Sequence, residues 1–184
     1  MNKLTEKEIK REYKYHGKII NVRIDTVELE NGAVSTREVV EHKGAVAVLP
    51  VDRDGNCYLV EQFRKPIEKI LLEIPAGKLD AGETPFECAV RELREETGFI
   101  AEEIVELGYI YTTAGFSNEK IHLYLATNLT PGRADPDEDE FLNLRQIKWK
   151  ELREMAEKGK INDSKTNAAI LMALSKVKKY LSDK

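Results

Sequence analysis

Residues 77–99 read GKLDAGETPFECAVRELREETGF. Thr84 suits an N-cap, Pro85 the first helical position, and Glu87 completes a capping box with the threonine. Gly98 supplies a C-terminal stop. The pattern predicts a helix over about Pro85–Thr97 with both ends specified locally. Phe86, Ala89, Val90, Leu93 and Thr97 share one side and should pack on a sheet. Glu92, Glu95 and Glu96 share another, at i,i+3 and i,i+4 spacings, and Glu83 lies just before the helix. Like charges so placed cost a few tenths of a kcal/mol per pair. Arg91 and Arg94 can offset that cost as ion pairs. A bound Mg²⁺ can do so as well, because carboxylates are the hard oxygen ligands it takes.

Working outward, 44–52 reads as a strand buried on both faces and 57–63 as the next strand. Residues 70–74 are short and extended, and Pro75-Ala76-Gly77 breaks them. Beyond the helix, 104–113, 121–128 and 144–149 are further strands. Helical patterns recur at 150–158 and 164–182. In the last, Ile170, Leu171, Leu174, Val177 and Leu181 make one apolar stripe. The order implies an α+β fold, a mixed central sheet with helices on its faces. Residues 1–43 form a small β-rich appendage. Ile20, Val22 and Ile24 alternate with polar residues, Asn31-Gly32 is a hairpin turn, and 34–41 is the returning strand. That hairpin has little apolar mass of its own and must lean on something. The expected division is 1–43 and 44–184.

Composition excludes several classes. The 184 residues carry 33 Asp+Glu against 29 Lys+Arg, a net charge of −4, and 41% are hydrophobic. A chain of this size and apolar content buries a core without help from a metal or disulfide. With no dense basic block, nucleic acid is not the expected partner. The longest apolar run, 44–51, is too short for a membrane span, and residues 1–18, charged in both signs, are not a signal peptide. Cys57 and Cys88 stand in no CxxC spacing, which suggests a reducing cytoplasm. His16, His42 and His122 have no zinc spacing and read as structural or surface residues.

Taken whole, the string is Gly77, five residues, Glu83, seven residues, Arg91-Glu92-Leu93, one residue, Glu95-Glu96, one residue, then Gly98-Phe99. It resembles the Nudix box of the Nudix hydrolases at every defined position. The resemblance implies an α/β/α sandwich over 44–184 and cleavage of nucleoside diphosphates linked to another moiety, with Mg²⁺ (or Mn²⁺) as cofactor. It places the metal on Glu92, Glu95, Glu96 and the backbone carbonyl of Ala76, with Glu83 near the outer metal shell and Arg91 orienting the glutamates. The flanks Arg37-Glu38-Val39-Val40-Glu41, Glu61-Gln62-Phe63-Arg64 and Glu73-Ile74-Pro75-Ala76-Gly77 resemble ADP-ribose pyrophosphatases, and so does the loop Thr112-Thr113-Ala114-Gly115-Phe116-Ser117. Substrate contacts are thereby implied at Arg37, Arg64, Glu73, Gly115 and Phe116. An arginine fork suits pyrophosphate or stacks on adenine. Ala114 departs from the pattern, because the family carries proline before that glycine.

The acidic segment 135–140 reads on its own as a solvated turn. By resemblance it supplies the glutamate that activates water, Glu138 or Glu140. The same resemblance implies a homodimer through the N-terminal β segment. Other nucleotide sugars or dinucleoside polyphosphates are alternative substrates, since the box handles metal and pyrophosphate rather than the outer groups. A non-catalytic nucleotide-sugar sensor is a remoter reading, because such a protein would lack part of the acidic set.

Overall fold

The computed structural model describes residues 4–135 and 141–183. The chain falls into two compact units, one made of residues 1–44 and 111–120, the other of 45–110 and 121–184.

The first unit is a three-stranded antiparallel meander of β1 (Lys7–His16), β2 (Ile20–Glu28) and β3 (Val34–His42), with β2 in the centre. The β2–β3 turn closes where Asn31-Gly32 predicts it, and Gly32 adopts φ +82°. β1 adds a strand beyond the expected hairpin. Its sequence KEIKREYKYH is charged and exposed throughout, so it carries no half-buried alternation to reveal it. Residues 111–120 join the same unit. Val40 N–H donates to the Phe116 carbonyl at 2.7 Å and Asn118 N–H to the Val40 carbonyl at 3.2 Å.

The second unit contains β4 (Ala45–Pro50), β5 (Asn56–Arg64), β6 (Lys69–Glu73), β7 (Ala76–Lys78), α1 (Pro85–Thr97), β8 (Phe99–Tyr111), β9 (Lys120–Pro131), β10 (Leu142–Lys148), α2 (Trp149–Glu157) and α3 (Ser164–Ser182). β8 and β9 extend into residues 111 and 120 of the first unit. One sheet has the order β7-β4-β9-β8, with β4 parallel to β9 and antiparallel to β7. The other has the order β10-β5-β6 and is antiparallel where β5 pairs with its neighbours. All six β4 residues are buried, as the unbroken apolar run implies. Their side chains alternate between two cores. Ala45, Ala47 and Leu49 join β9, α2 and α3 residues such as Leu123, Leu152 and Val177. Val46 and Val48 join Ala89 and Leu93 of α1. Helices therefore cover both faces of the mixed sheet.

Several sequence expectations shift. α1 buries Cys88, Ala89, Glu92, Leu93, Glu96 and Thr97, whereas Phe86 and Val90 are exposed. The small side chains Cys88 and Ala89 let the helix approach the sheet closely, and this rotation carries two glutamates inward. α3 likewise packs through Ala169, Ile170, Ala173 and Val177, while Leu171 is 69% exposed and Leu174 also faces outward. The short strand β7 lies where Pro75-Ala76-Gly77 reads as a break. β8 begins at Phe99, directly after the helix. Among the described residues no helix is long and apolar enough to cross a membrane.

Candidate active site

The capping box forms as the sequence implies. Thr84 N–H donates to Glu87 Oε2 at 2.9 Å, and Glu87 N–H donates to Thr84 Oγ1 at 3.3 Å. Gly98 ends the helix at φ +74°, and a Cβ there would lie 2.8 Å from the Ala134 nitrogen. Both ends of α1 are thus fixed, which sets the direction of its glutamates.

Glu92 and Glu96 are each 7% exposed. The β7 strand runs beside them. Ala76 N–H donates to Glu96 Oε2 at 3.2 Å. A Cβ on Gly77 would stand 1.7 Å from Glu92 Oε1, so the absence of a side chain at 77 makes the space that this carboxylate fills. The loop 74–77 and the helix therefore meet through Ala76 and Gly77.

Arg91 is the hub of the acidic set. Its Nε and Nη2 donate to the two oxygens of Glu83 at 2.8 and 2.9 Å. Its Nη1 donates to Glu92 Oε1 at 2.6 Å and to Glu95 Oε2 at 2.9 Å. The Lys78 carbonyl accepts from Nη2 at 3.2 Å. One guanidinium thereby ties three carboxylates to β7. The Arg91 hydrogen bonds, with help from the Asp80 backbone N–H, hold the Glu83 carboxyl down at about 2. The same contacts push Arg91 further above its ordinary range. A cavity of about 550 Å³ opens on the exposed side of the helix, lined by Phe86, Val90, Arg91, Arg94, Glu95 and Asp135 among others. Among the described residues no three His, Cys, Asp or Glu side chains are gathered as a ready-made metal cage.

A second cluster contains Arg64 and Glu73. Arg64 grips Glu73 with a bidentate fork, Nε to Oε1 at 2.8 Å and Nη2 to Oε2 at 2.6 Å. Lys165 Nζ also donates to Glu73 Oε2 and reaches Asp163 Oδ1 at 3.1 Å. Glu73 is only 1% exposed. Burial alone would raise its carboxyl, but the Arg64 hydrogen bonds and the Lys165 charge outweigh that and hold it below the usual range. Sequence reading missed Lys165. Its signal is the spacing 165, 169, 173, which sets a lysine in line with two buried alanines.

The remaining candidates lie elsewhere. Arg37 belongs to the first unit, where its Nε donates to Glu6 Oε2 at 3.1 Å. Gly115 and Phe116 are in that unit too, on the loop bonded to β3. Glu138 and Glu140 lie outside the described residues. The structure thus brings Glu83, Arg91, Glu92, Glu95, Glu96 and Ala76 together, and separately joins Arg64 to Glu73.

Comparison with known proteins bears on this arrangement. A family profile described as the NUDIX domain matches residues 41–170, and one described as the nucleoside diphosphate sugar hydrolase N-terminal domain matches residues 6–40. An ADP-ribose pyrophosphatase of Bacillus subtilis is 42% identical over 172 residues, covering 92% of this chain and 93% of that protein. A methanol dehydrogenase activator of Bacillus methanolicus is 44% identical over 167 residues, covering 90% of each. A crystal structure of an ADP compounds hydrolase superposes with a TM-score of 0.84 over 95% of both chains at 23% identity, a likeness of fold. The chain belongs to the Nudix family.

Proposed function

We propose that the chain hydrolyses the pyrophosphate bond of ADP-ribose to AMP and ribose 5-phosphate, with Mg²⁺ or Mn²⁺ as cofactor. The observation that carries the reading is the placing of Glu92 and Glu96 against Ala76 and Gly77, with Arg91 cross-linking Glu92 to Glu95 and Glu83. The donor set suits a divalent cation on two counts. It is made of hard oxygens, and Gly77 leaves room where a side chain would displace Glu92. Mg²⁺ is held by one or two carboxylates plus waters and substrate phosphates rather than by an all-protein cage. The residues that would hold it are Glu92, Glu95, Glu96 and the Ala76 carbonyl. When bound, the metal supplies positive charge to the pyrophosphate and polarises phosphorus.

The chain's own groups supply the rest. Arg91 keeps its carboxylate partners oriented. Arg64, its plane set by Glu73 through Nε and Nη2, offers its remaining N–H groups to an anionic part of the substrate or its face to an aromatic one. Arg37, Gly115 and Phe116 of the first unit are carried as substrate contacts on the resemblance alone. Glu138 or Glu140 takes the proton from the attacking water. The relatives' names support ADP-ribose as substrate. The direct test is hydrolysis of ADP-ribose with Mg²⁺ beside a panel of other nucleotide sugars and dinucleoside polyphosphates. AMP and ribose 5-phosphate should form fastest from ADP-ribose. Preference for another compound would discard the substrate and keep the metal site. Silence across the panel, with metal bound, would turn the reading toward a sensor.

In this reading the enzyme works in the cytoplasm as a homodimer through its N-terminal β segment. Val27 is the one buried apolar residue among the described residues of 1–44, while Ile9, Tyr13, Tyr15, Ile20 and Val34 are exposed. A monomer in solution at micromolar concentration would overturn the assembly. A second reading, activation of a methanol dehydrogenase, has the Bacillus methanolicus relative in its favour. Turnover of such a dehydrogenase with and without the chain tests it.

A further inference from the structure

We propose that Lys165 is a positioning residue that sets the orientation of Arg64 through Glu73 and offsets the carboxylate field around it. The inference rests on the hydrolase reading, in which Arg64 binds substrate.

Arg64 is the last residue of β5 and is followed by the 3-10 turn Lys65–Ile67. Its side chain is 39% exposed, so the strand end by itself leaves a long side chain free to sample rotamers. Glu73 removes that freedom by taking both Nε and Nη2. A carboxylate can impose a plane on a guanidinium only if its own plane is fixed. Two ties from the first turn of α3 fix it. Lys165 Nζ binds Oε2, the same oxygen that accepts from Arg64 Nη2. At the next residue, Ile74 N–H donates to Thr166 Oγ1 at 2.9 Å. That turn is itself locked. Asp163 caps α3 by accepting from Thr166 N–H at 2.9 Å and holds Lys165 at 3.1 Å.

Stability alone does not account for a lysine at 165. The residue is buried and stands in the first turn of a 19-residue helix, where the helix dipole disfavours a cation. Its value lies in the local charge balance. Arg64 feels the negative fields of Glu73, Glu96 and Asp163. With Lys165 present, two cations face Glu73 and Asp163. Without it, Arg64 alone would answer both carboxylates, and its pull on a substrate phosphate would be cancelled. Lys165 thus releases the arginine's charge toward the ligand while holding its plane.

The test is a double-mutant cycle on the full chain, assayed with ADP-ribose and Mg²⁺. Lys165→Ala should raise KM about tenfold while kcat stays within about threefold, the cost of spoiling a charge-assisted contact used in binding. Lys165→Arg should restore KM to within about threefold of the wild type, because it keeps the charge. On an Arg64→Ala background the same substitution should add no more than about twofold, since coupled residues are not additive. If Lys165→Ala does not fold, Lys165→Met keeps the aliphatic stem and carries the same expectation. An unchanged KM in these variants, or effects of Arg64→Ala and Lys165→Ala that multiply in full, would overturn the proposal. A loss of kcat and Tm with KM untouched would also overturn it, by marking Lys165 as merely structural. Failure of the wild type to hydrolyse ADP-ribose is a different result and removes the hydrolase reading together with this one.

Discussion

The two arginine clusters of the second unit are built with opposite stoichiometry. At Arg91 one guanidinium serves three carboxylates, with a fourth, Glu96, a few residues along the helix. At Glu73 one buried carboxylate is held by two cations. The first cluster is short of positive charge, so a bound cation would stabilise its glutamates further. The second balances itself with Asp163 and needs nothing added. An acidic cluster left in deficit is suited to bind a cation; a balanced network is suited to hold its half-exposed arginine still. The difference teaches that carboxylates of similar burial do unlike work according to the charge count around them.

Removing one carboxylate from each cluster should break the comparison most visibly. Glu96→Gln should lower kcat by about a thousandfold, in the range seen when charge stabilisation of a transition state is lost. Its Tm should not fall, because the substitution relieves crowding among like charges. A variant that keeps full activity at saturating Mg²⁺ would sink the metal role. Glu73→Gln should behave in the reverse sense, costing about 3 kcal/mol of stability by leaving two cations without their buried partner. Urea unfolding measures it, and a loss below about 0.5 kcal/mol, the size of an ordinary surface substitution, would show that the network is not structural.

A smaller effect separates shape from charge. Gly77→Ala adds no charge but drives a methyl into the Glu92 carboxylate. It should weaken Mg²⁺ activation by about ten- to a hundredfold, as disturbed metal surroundings do. A magnesium titration identical to the wild type would show that Glu92 moves aside without consequence. The least effect is expected from protons. The Glu83 carboxyl is held at about 2 against an ordinary 4.5. The folded pKa is depressed, so the unfolded chain binds the proton more readily. The stabilisation is complete above about 4.5 and is lost as pH falls toward about 2. Tm should therefore decline across that window, and Glu83→Gln should flatten part of the decline. A slope unchanged in the variant would deny the Arg91 contact its role.

What could be read from the sequence follows the range of each signal. Thr84, Pro85, Glu87 and Gly98 lie within a turn of the helix ends they define, so α1 is legible residue by residue. The Arg91, Glu92, Glu95 and Glu96 set is legible because it lies on one short string. The burial of Glu92 and Glu96 is not, because helical spacing puts them on a polar side and only the close approach at Cys88, Ala89 and Gly77 takes them inside. The Arg64–Glu73 fork joins two paired strands, and Lys165 reaches Glu73 across half of the chain. No local pattern encodes either contact. β1 escaped because an exposed charged strand looks like a solvated segment. Leu171 and Leu174 misled because hydrophobicity outweighed the small alanines that set the α3 packing face.

The bond from Thr166 to Ile74 also has a meaning in time. It spans 92 residues, and synthesis at ~5–20 residues per second places several seconds between its two ends. The acidic helix can form on the ribosome soon after residue 98 emerges, since its caps are its own. The arginine mount cannot, because its brace is made 92 residues after Glu73 and Ile74. A nascent chain would therefore carry its acidic helix seconds before the Arg64–Glu73 pair is braced, and maturation of that cluster would await the emergence of the first turn of α3 from the exit tunnel.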